Sequence, residues 1–460
     1  IDVSLVGSEM CIRDRSLANH TNHLPMLTKR LSYDRLIVTV RRHLSRVSDH
    51  RRGNPTIALV DILMSVLAMF SLKDSSLLQF VNSYAARRAN LQNVFGLLKL
   101  PSDTAIRQVL DHVLPSKLVV IYSILHAKLR DLGILDSYIY LGNYLLAPID
   151  GTQYFSSKKV KCDYCLTKNH RDGTTTYCHQ CLTSVIVHPD HREVFVLGTE
   201  DIVNSDGSTK NDCELSASKR LLKKIVNPLK DRGIQLIHIG DALYANGPFI
   251  KEVQQRNDAF ILVVKPGSQA TLFHQFDRLN KANKTKKKQK KERQLIHQYE
   301  YINGLFLNGE HPDILVNMVD YKCISQETGK VIKHFTFITD IKLTTKTVDK
   351  IVKAGRARWK IENETFNTLK NQGYNYQHNY GHGHKHLAVN MSILMFLAFL
   401  IDQIAMRCDK NYRWAMSVKK AKKVFYEKVR HYFDEISVPD MNTIYLIITK
   451  QIRLTIKMNV

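Results

Sequence analysis

The chain has 460 residues, 44% of them hydrophobic, which is enough to bury a sizeable core in two or three compact units and excludes a disordered polyelectrolyte. Its 67 Lys+Arg outweigh 42 Asp+Glu and leave a formal charge of +25; because neutralising phosphates releases counterions, that excess points to nucleic acid as partner. The uncharged apolar runs 62–72 and 387–401 are too short to cross a bilayer and predict buried helices; no amphipathic stretch pairs with a lipidation signal, so no membrane partner is expected.

In chain order, residues 1–15 resemble a translated sequencing adapter and are set aside as non-native, the true N-terminus being expected elsewhere. Residues 16–140 carry helical periodicity, with Ser102 and Asp103 as cap residues before one apolar run, and predict an all-helical domain. Its basic pairs, Arg41-Arg42 and Arg87-Arg88, suit DNA contact and a solvated face equally.

Residues 141–265 switch to strand patterning. Strands are predicted from Tyr144 to Ser156, over 182–188 and over 193–198, with Pro189 and Asp190 at the turn between the last two. A helix capped by Asn211 and Asp212 follows, then a strand over 234–240, a helix over 248–255 and a strand from Phe260. Residues 266–335 predict a β-rich insertion that begins with the run Lys284 to Arg293, seven basic residues against one acid. Residues 336–405 return to the core, and 406–460 form a basic helical tail with a solvated face. The resulting class is α/β, a mixed sheet behind a helical domain.

Those two aspartates close apolar runs, in Ile149-Asp150-Gly151-Thr152 and Gly240-Asp241-Ala242, so each carboxylate sits at the exit of a buried strand. Singly, such acids are ordinary turn formers. A third acid changes the weighing, because Arg358-Trp359-Lys360-Ile361-Glu362 lies on a Pro-free stretch of helical composition. Three carboxylates from three elements suit hard divalent cations, which stabilise the attacking and leaving oxygens of a phosphodiester displacement.

With these motifs the chain resembles the DDE transposases of bacterial insertion sequences, in the group whose last acid lies in an Arg-Trp-x-Ile-Glu motif with a lysine two turns later. The resemblance implies a DNA-binding or assembly role for the helical domain 16–140, an RNase H-like core in whose order Asp150, on the first strand, lies beside Asp241, on the fourth, and Mg²⁺ or Mn²⁺ held by Asp150, Asp241 and Glu362. It implies cleavage at transposon ends with strand transfer into double-stranded DNA, a homodimer on paired ends, and a cytoplasmic, nucleoid-associated bacterial protein. Arg358 and Lys370 would clamp phosphates. The pattern departs at two positions: the family's tyrosine three residues before the arginine is Gly355, and strict spacing would put the lysine at Leu369. Glu364 is the alternative third ligand, although Glu362 alone keeps the tryptophan register.

A second constellation is Cys162-Asp-Tyr-Cys165 followed, twelve residues on, by Cys178-His-Gln-Cys181, within a loop expected over 160–183. Two such pairs predict a closed four-thiolate structural Zn²⁺ site without chemistry of its own. His378, His382, His384 and His386 are read as hydrogen-bonding to backbone or phosphate rather than to metal. In the basic run, Lys286, Lys287, Lys288, Lys290 and Lys291 are candidates for DNA phosphates, a flexible solvated segment being the equal alternative. No phosphate-cradling Gly-rich loop or Gly-x-Ser-x-Gly elbow competes with the three acids. The other functional readings are a DNA-binding protein that has lost cleavage and a metal-dependent nuclease without strand transfer.

Overall fold

The computed structural model describes residues 30–203 and 212–453. The set-aside segment 1–15 and the cap residue Asn211 lie outside the described residues. Six helices open the described chain: α1 (Tyr33–Leu44), α2 (Leu59–Leu72), α3 (Leu77–Asn82), α4 (Tyr84–Phe95), α5 (Asp103–Leu110) and α6 (Ser116–Asp131). Local chemistry starts several of them. Ser32, Ser76 and Ser102 each accept a hydrogen bond from a backbone N–H three residues on, which satisfies a donor that the helix leaves unpaired.

The sheet follows in eleven strands: β1 (Ile139–Tyr140), β2 (Tyr144–Ser157), β3 (Leu166–Asn169), β4 (Thr175–Ile186), β5 (Phe195–Ile202), β6 (Gln235–Gly240), β7 (Ala259–Val263), β8 (Lys286–Glu292), β9 (Leu295–Phe306), β10 (Leu315–Ser325) and β11 (Val331–Thr339). Its path is β3-β4-β2-β6-β7-β11-β10-β9-β8, with β1 on β2 and β5 on β4. β2, β6 and β7 run parallel. The crossovers between them carry α7 (Glu214–Lys224) and α8 (Gly247–Gln255), as parallel pairing requires. The mixed α/β fold with a helical N-terminal region is therefore the class expected from sequence.

Three expectations about its parts need correction. The segment 160–183 is not all loop: β3 and the first half of β4 form a hairpin there. The insertion is not β-rich from its start, because it opens on α9 (Ala270–Lys281) before its strands, the last of which, β11, pairs with the core strand β7. The basic run is an edge strand, β8, in register with β9 from Lys286↔Tyr301 to Glu292↔Leu295. Composition made it look like flexible chain, whereas its pairing comes from a distant partner, and lysine on an edge is a common guard against edge-to-edge association.

After the sheet come α10 (Val348–Arg356), a π-helical turn (Ile361–Phe366), α11 (Asn367–Asn371), α12 (Leu387–Cys408), α13 (Lys410–Lys419), α14 (Lys422–Glu435) and α15 (Met441–Ile448). α12 is long and apolar enough to cross a membrane, yet its apolar stretch is wholly buried within the protein and serves as the central core helix. The first and last helices share one core. Tyr33 stacks on Tyr412 at 6.1 Å, and Asp34 accepts the N–H groups of Met441 and Asn442. Arg87, considered above for DNA contact, is instead fully buried between Asp74 and Asp434. The basic helical tail thus packs with the N-terminal helices in one helical body.

Candidate active site and metal centre

β2 and β6 pair in parallel from Tyr144↔Gln235 to Pro148↔Ile239, and two further residues along that register set Asp150 opposite Asp241. The third acid arrives from the π-helical turn. Arg358 joins it to the first: its guanidinium lies 3.1 Å from Asp150 Oδ2 and 2.6 Å from Glu362 Oε1. Asp241 is held by its own turn, its carboxylate accepting the Leu243 N–H at 2.9 Å. Glu364 faces elsewhere, toward Arg192 and Lys422 at 3.8 and 3.6 Å. Of the two glutamates, Glu362 is therefore the one beside Asp150.

The π turn explains the lysine spacing. Winding by i→i+5 bonds inserts one residue, so position 370 takes the face that 369 would hold on an uninterrupted α-helix. Leu369 is fully buried and Lys370 half-buried. Burial lowers the Lys370 ammonium pKa while the nearby Asp150 carboxylate opposes that shift, which places the lysine in the acid cluster. Gly355 has an equally local cause. A Cβ there would lie 2.7 Å from the Phe337 ring, so α10 packs on β11 too closely for a tyrosine at this position. Trp359, next to Arg358, is exposed.

A fourth carboxylate, which sequence reasoning missed, completes the cluster. Glu214 begins α7, and a Cβ on Gly151 would lie 2.5 Å from its Oε1, so the glycine after Asp150 is what admits it. Tyr244 Oη donates to Glu214 Oε2 at 3.3 Å. Burial raises the Glu214 pKa, partly offset by that hydrogen bond, with Asp241 adding to the rise. Burial likewise pushes Asp150 up to about 6; Arg358 opposes the shift, and Glu362 and Glu214 reinforce it. The only sequence signal for Glu214 was its place at the start of a predicted helix after the third strand.

The chemistry of this donor set suits a hard cation, with carboxylates from three elements, partly buried and faced by Arg358 and Lys370, although their oxygens do not form a group within 4.8 Å of one another. Asp150, Asp241 and Glu362 are the residues that would hold Mg²⁺ or Mn²⁺, with Glu214 in reach.

The cysteine pairs divide. Cys162, Cys165, His179 and His382 bring one ligand atom each within 4.8 Å of one another. Cys178 and Cys181 are outside this group, which corrects the four-thiolate reading. The reason is the strand period: Cys178 and Cys181 are three apart on β4 and point to opposite faces, whereas Cys162 and Cys165 sit on a turn closed by Cys165 N–H to Cys162 C=O at 3.2 Å. The reading of His382 as a backbone or phosphate ligand alone is corrected with it.

The lysines of β8 are exposed except Lys288, which donates to Asp349 at 2.8 Å and to the Thr345 carbonyl at 2.6 Å. Lys287 reaches Glu300 at 3.4 Å and Lys290 reaches Glu292 at 3.3 Å; Lys286 and Lys291 extend the same exposed edge.

Residues 212–401 match the family model for the transposase DDE domain, a span that holds Asp241, Arg358, Glu362 and Lys370 and ends inside α12. A search of curated proteins finds no match.

Proposed function

We propose, on the match of residues 212–401 to the transposase DDE domain, that the chain is a DDE transposase that cleaves DNA at the ends of its own mobile element and joins the freed 3′-hydroxyl to target DNA. The observation that supports this most directly is the Arg358 bridge between Asp150 and Glu362, which brings two of the three acids together from residues 212 positions apart.

In this reading Asp150, Asp241 and Glu362 supply the oxygens for Mg²⁺ or Mn²⁺. The cations, when bound, stabilise charge on the attacking and leaving oxygens of an in-line displacement. Arg358, held between Asp150 and Glu362, carries the guanidinium that would meet a DNA phosphate at this site. Lys370, on the same face, neutralises a second phosphate. Tyr244 and Gly151 position Glu214 so that its carboxylate accepts a hydrogen bond or a water proton beside Asp150. The exposed lysines 286, 287, 290 and 291 track the duplex backbone, while Lys288 ties the edge strand to α10. The protein acts as a homodimer on paired ends in the bacterial cytoplasm, on nucleoid DNA.

The test is Mg²⁺-dependent cleavage and joining of a labelled duplex carrying the element's end. Asp150→Ala, Asp241→Ala and Glu362→Ala should each lose at least a thousandfold in cleavage rate, a loss of about 4 kcal/mol in transition-state stabilisation, while retaining duplex binding; Glu364→Ala should cleave normally. Normal cutting by Glu362→Ala would remove it as a ligand. Cleaved ends without joined products would favour the nuclease reading, and binding without cutting by the unaltered chain the DNA-binding one.

A further inference from the structure

We propose that Cys162, Cys165, His179 and His382 form one tetrahedral Zn²⁺ site that staples the β3–β4 hairpin to the segment following the Glu362-bearing turn.

The spacing of the four ligand atoms carries this. Zinc bonds of about 2.3 Å to sulfur and about 2.05 Å to nitrogen, arranged tetrahedrally, put sulfurs about 3.8 Å apart, sulfur and nitrogen about 3.6 Å apart, and nitrogens about 3.3 Å apart. The Cys162 and Cys165 sulfurs are 3.8 Å apart. The sulfur-to-nitrogen separations are 3.5 Å for Cys162–His179, 3.4 Å for Cys165–His179 and 3.3 Å for Cys165–His382. The two Nε2 atoms are 3.1 Å apart. Hydrogen bonding alone does not gather two thiols and two imidazoles at the edges of one tetrahedron.

The surroundings orient the ligands. His382 Nδ1 is 3.1 Å from the Gly383 carbonyl, which leaves Nε2 for metal and supplies the outer hydrogen bond that ligating imidazoles use. The backbone around His382 is fixed as well. Asp111 accepts N–H groups from His384, Lys385, His386 and Leu387 at 2.9–3.1 Å. Gly383 has a φ of 66°, and a Cβ there would collide with Asp111, so only glycine permits this anchorage. On the other side, Phe155 faces His179 across the strand pair and its ring lies 4.5 Å from that of His382.

Phe155 is five residues beyond Asp150 on β2, and His382 follows Glu362 by twenty. The site therefore joins the β3–β4 hairpin, which pairs with the strand carrying Asp150, to the segment that follows the turn carrying Glu362. All four positions of the tetrahedron are protein atoms, which is the pattern of a structural rather than a catalytic zinc.

The full chain, purified with zinc present, should hold one zinc per molecule by elemental analysis. Cys178→Ser and Cys181→Ser should keep it, and Cys162→Ser and His382→Asn should lose it. Cobalt substitution should give the visible bands of a tetrahedral two-sulfur, two-nitrogen site. Chelation of the unaltered chain should raise hydrogen exchange over residues 158–183 and 372–387 and leave α2 unchanged, a readout that stands even where a variant fails to fold. Zinc kept by His382→Asn but lost by Cys178→Ser would overturn the ligand set. Neither zinc nor cobalt uptake would overturn the site, and unchanged exchange on chelation would overturn the staple. None of these readouts depends on DNA cleavage, so the staple and the transposase reading fail separately.

Discussion

At Asp150 opposing influences meet: burial and neighbouring acids favour the protonated carboxyl, while Arg358 and the Gly151 N–H favour the carboxylate. The result, about 6, places its titration where metal loading can be measured. A proton must leave before an oxygen binds a cation, so Mg²⁺ affinity should be flat above pH 6 and fall about tenfold for each pH unit below it. Calorimetric titration at pH 5, 6, 7 and 8 checks this; constant affinity across that range would mean Asp150 is not a ligand. Glu214 offers a sharper test at the same scale. Glu214→Gln keeps the side-chain volume that Gly151 accommodates while removing one charge, and should raise the Mg²⁺ concentration needed for half-maximal cleavage several-fold without altering duplex binding. Asp241 was legible in sequence as the acid that follows a buried strand, whereas Asp150, expected at a strand exit, stands in the middle of β2, where the apolar run ends and the strand continues to Ser157. Glu214 was not legible, since its role arises only where Gly151 lets a helix N-terminus approach the strand.

The turn from Ile361 to Phe366 shows how one element reconciles a sequence departure with geometry. The lysine seemed one position late, yet a π turn adds one residue of winding. Lys370→Ala should reduce the salt slope of duplex binding by about one and leave stability near that of the unaltered chain. Leu369→Ala should leave the slope unchanged and cost about 2–5 kcal/mol in a urea titration, because its side chain is fully buried. A reversed pattern would return the register to an uninterrupted α-helix. The cysteine pairs carry a parallel lesson. Two CxxC spacings look alike in sequence, but only the pair on a turn can chelate; the pair on a strand cannot, and the strand assignment depended on pairing with β2 and β3, which no local pattern displays.

For the whole molecule, the helical body is built from both ends of the described chain and buried charge holds it together. Lys73, on the N-terminal side, meets Asp402 of α12 at 2.7 Å, and both side chains are almost wholly buried. Tyr374 also donates to Asp402. Removing one partner strands the other, so Asp402→Ala should destabilise the protein by about 3–5 kcal/mol in denaturant unfolding. A loss under 1 kcal/mol would show the pair to be dispensable. The helical N-terminal region was legible in sequence, but not that Tyr33, Tyr412 and Tyr445 share one ring cluster, since contacts nearly 400 residues apart leave no periodic trace.

The continuous sheet is also a ruler. From β2, which carries Asp150, to the lysine edge β8 is six steps along the strand order β2-β6-β7-β11-β10-β9-β8. At about 4.8 Å per step the two are at most about 29 Å apart. Duplex DNA rises about 3.4 Å per base pair, so a helix laid across that face meets the lysines no more than eight or nine base pairs from the phosphate being cut, and a footprint should show protection extending that far to one side of the cleavage point.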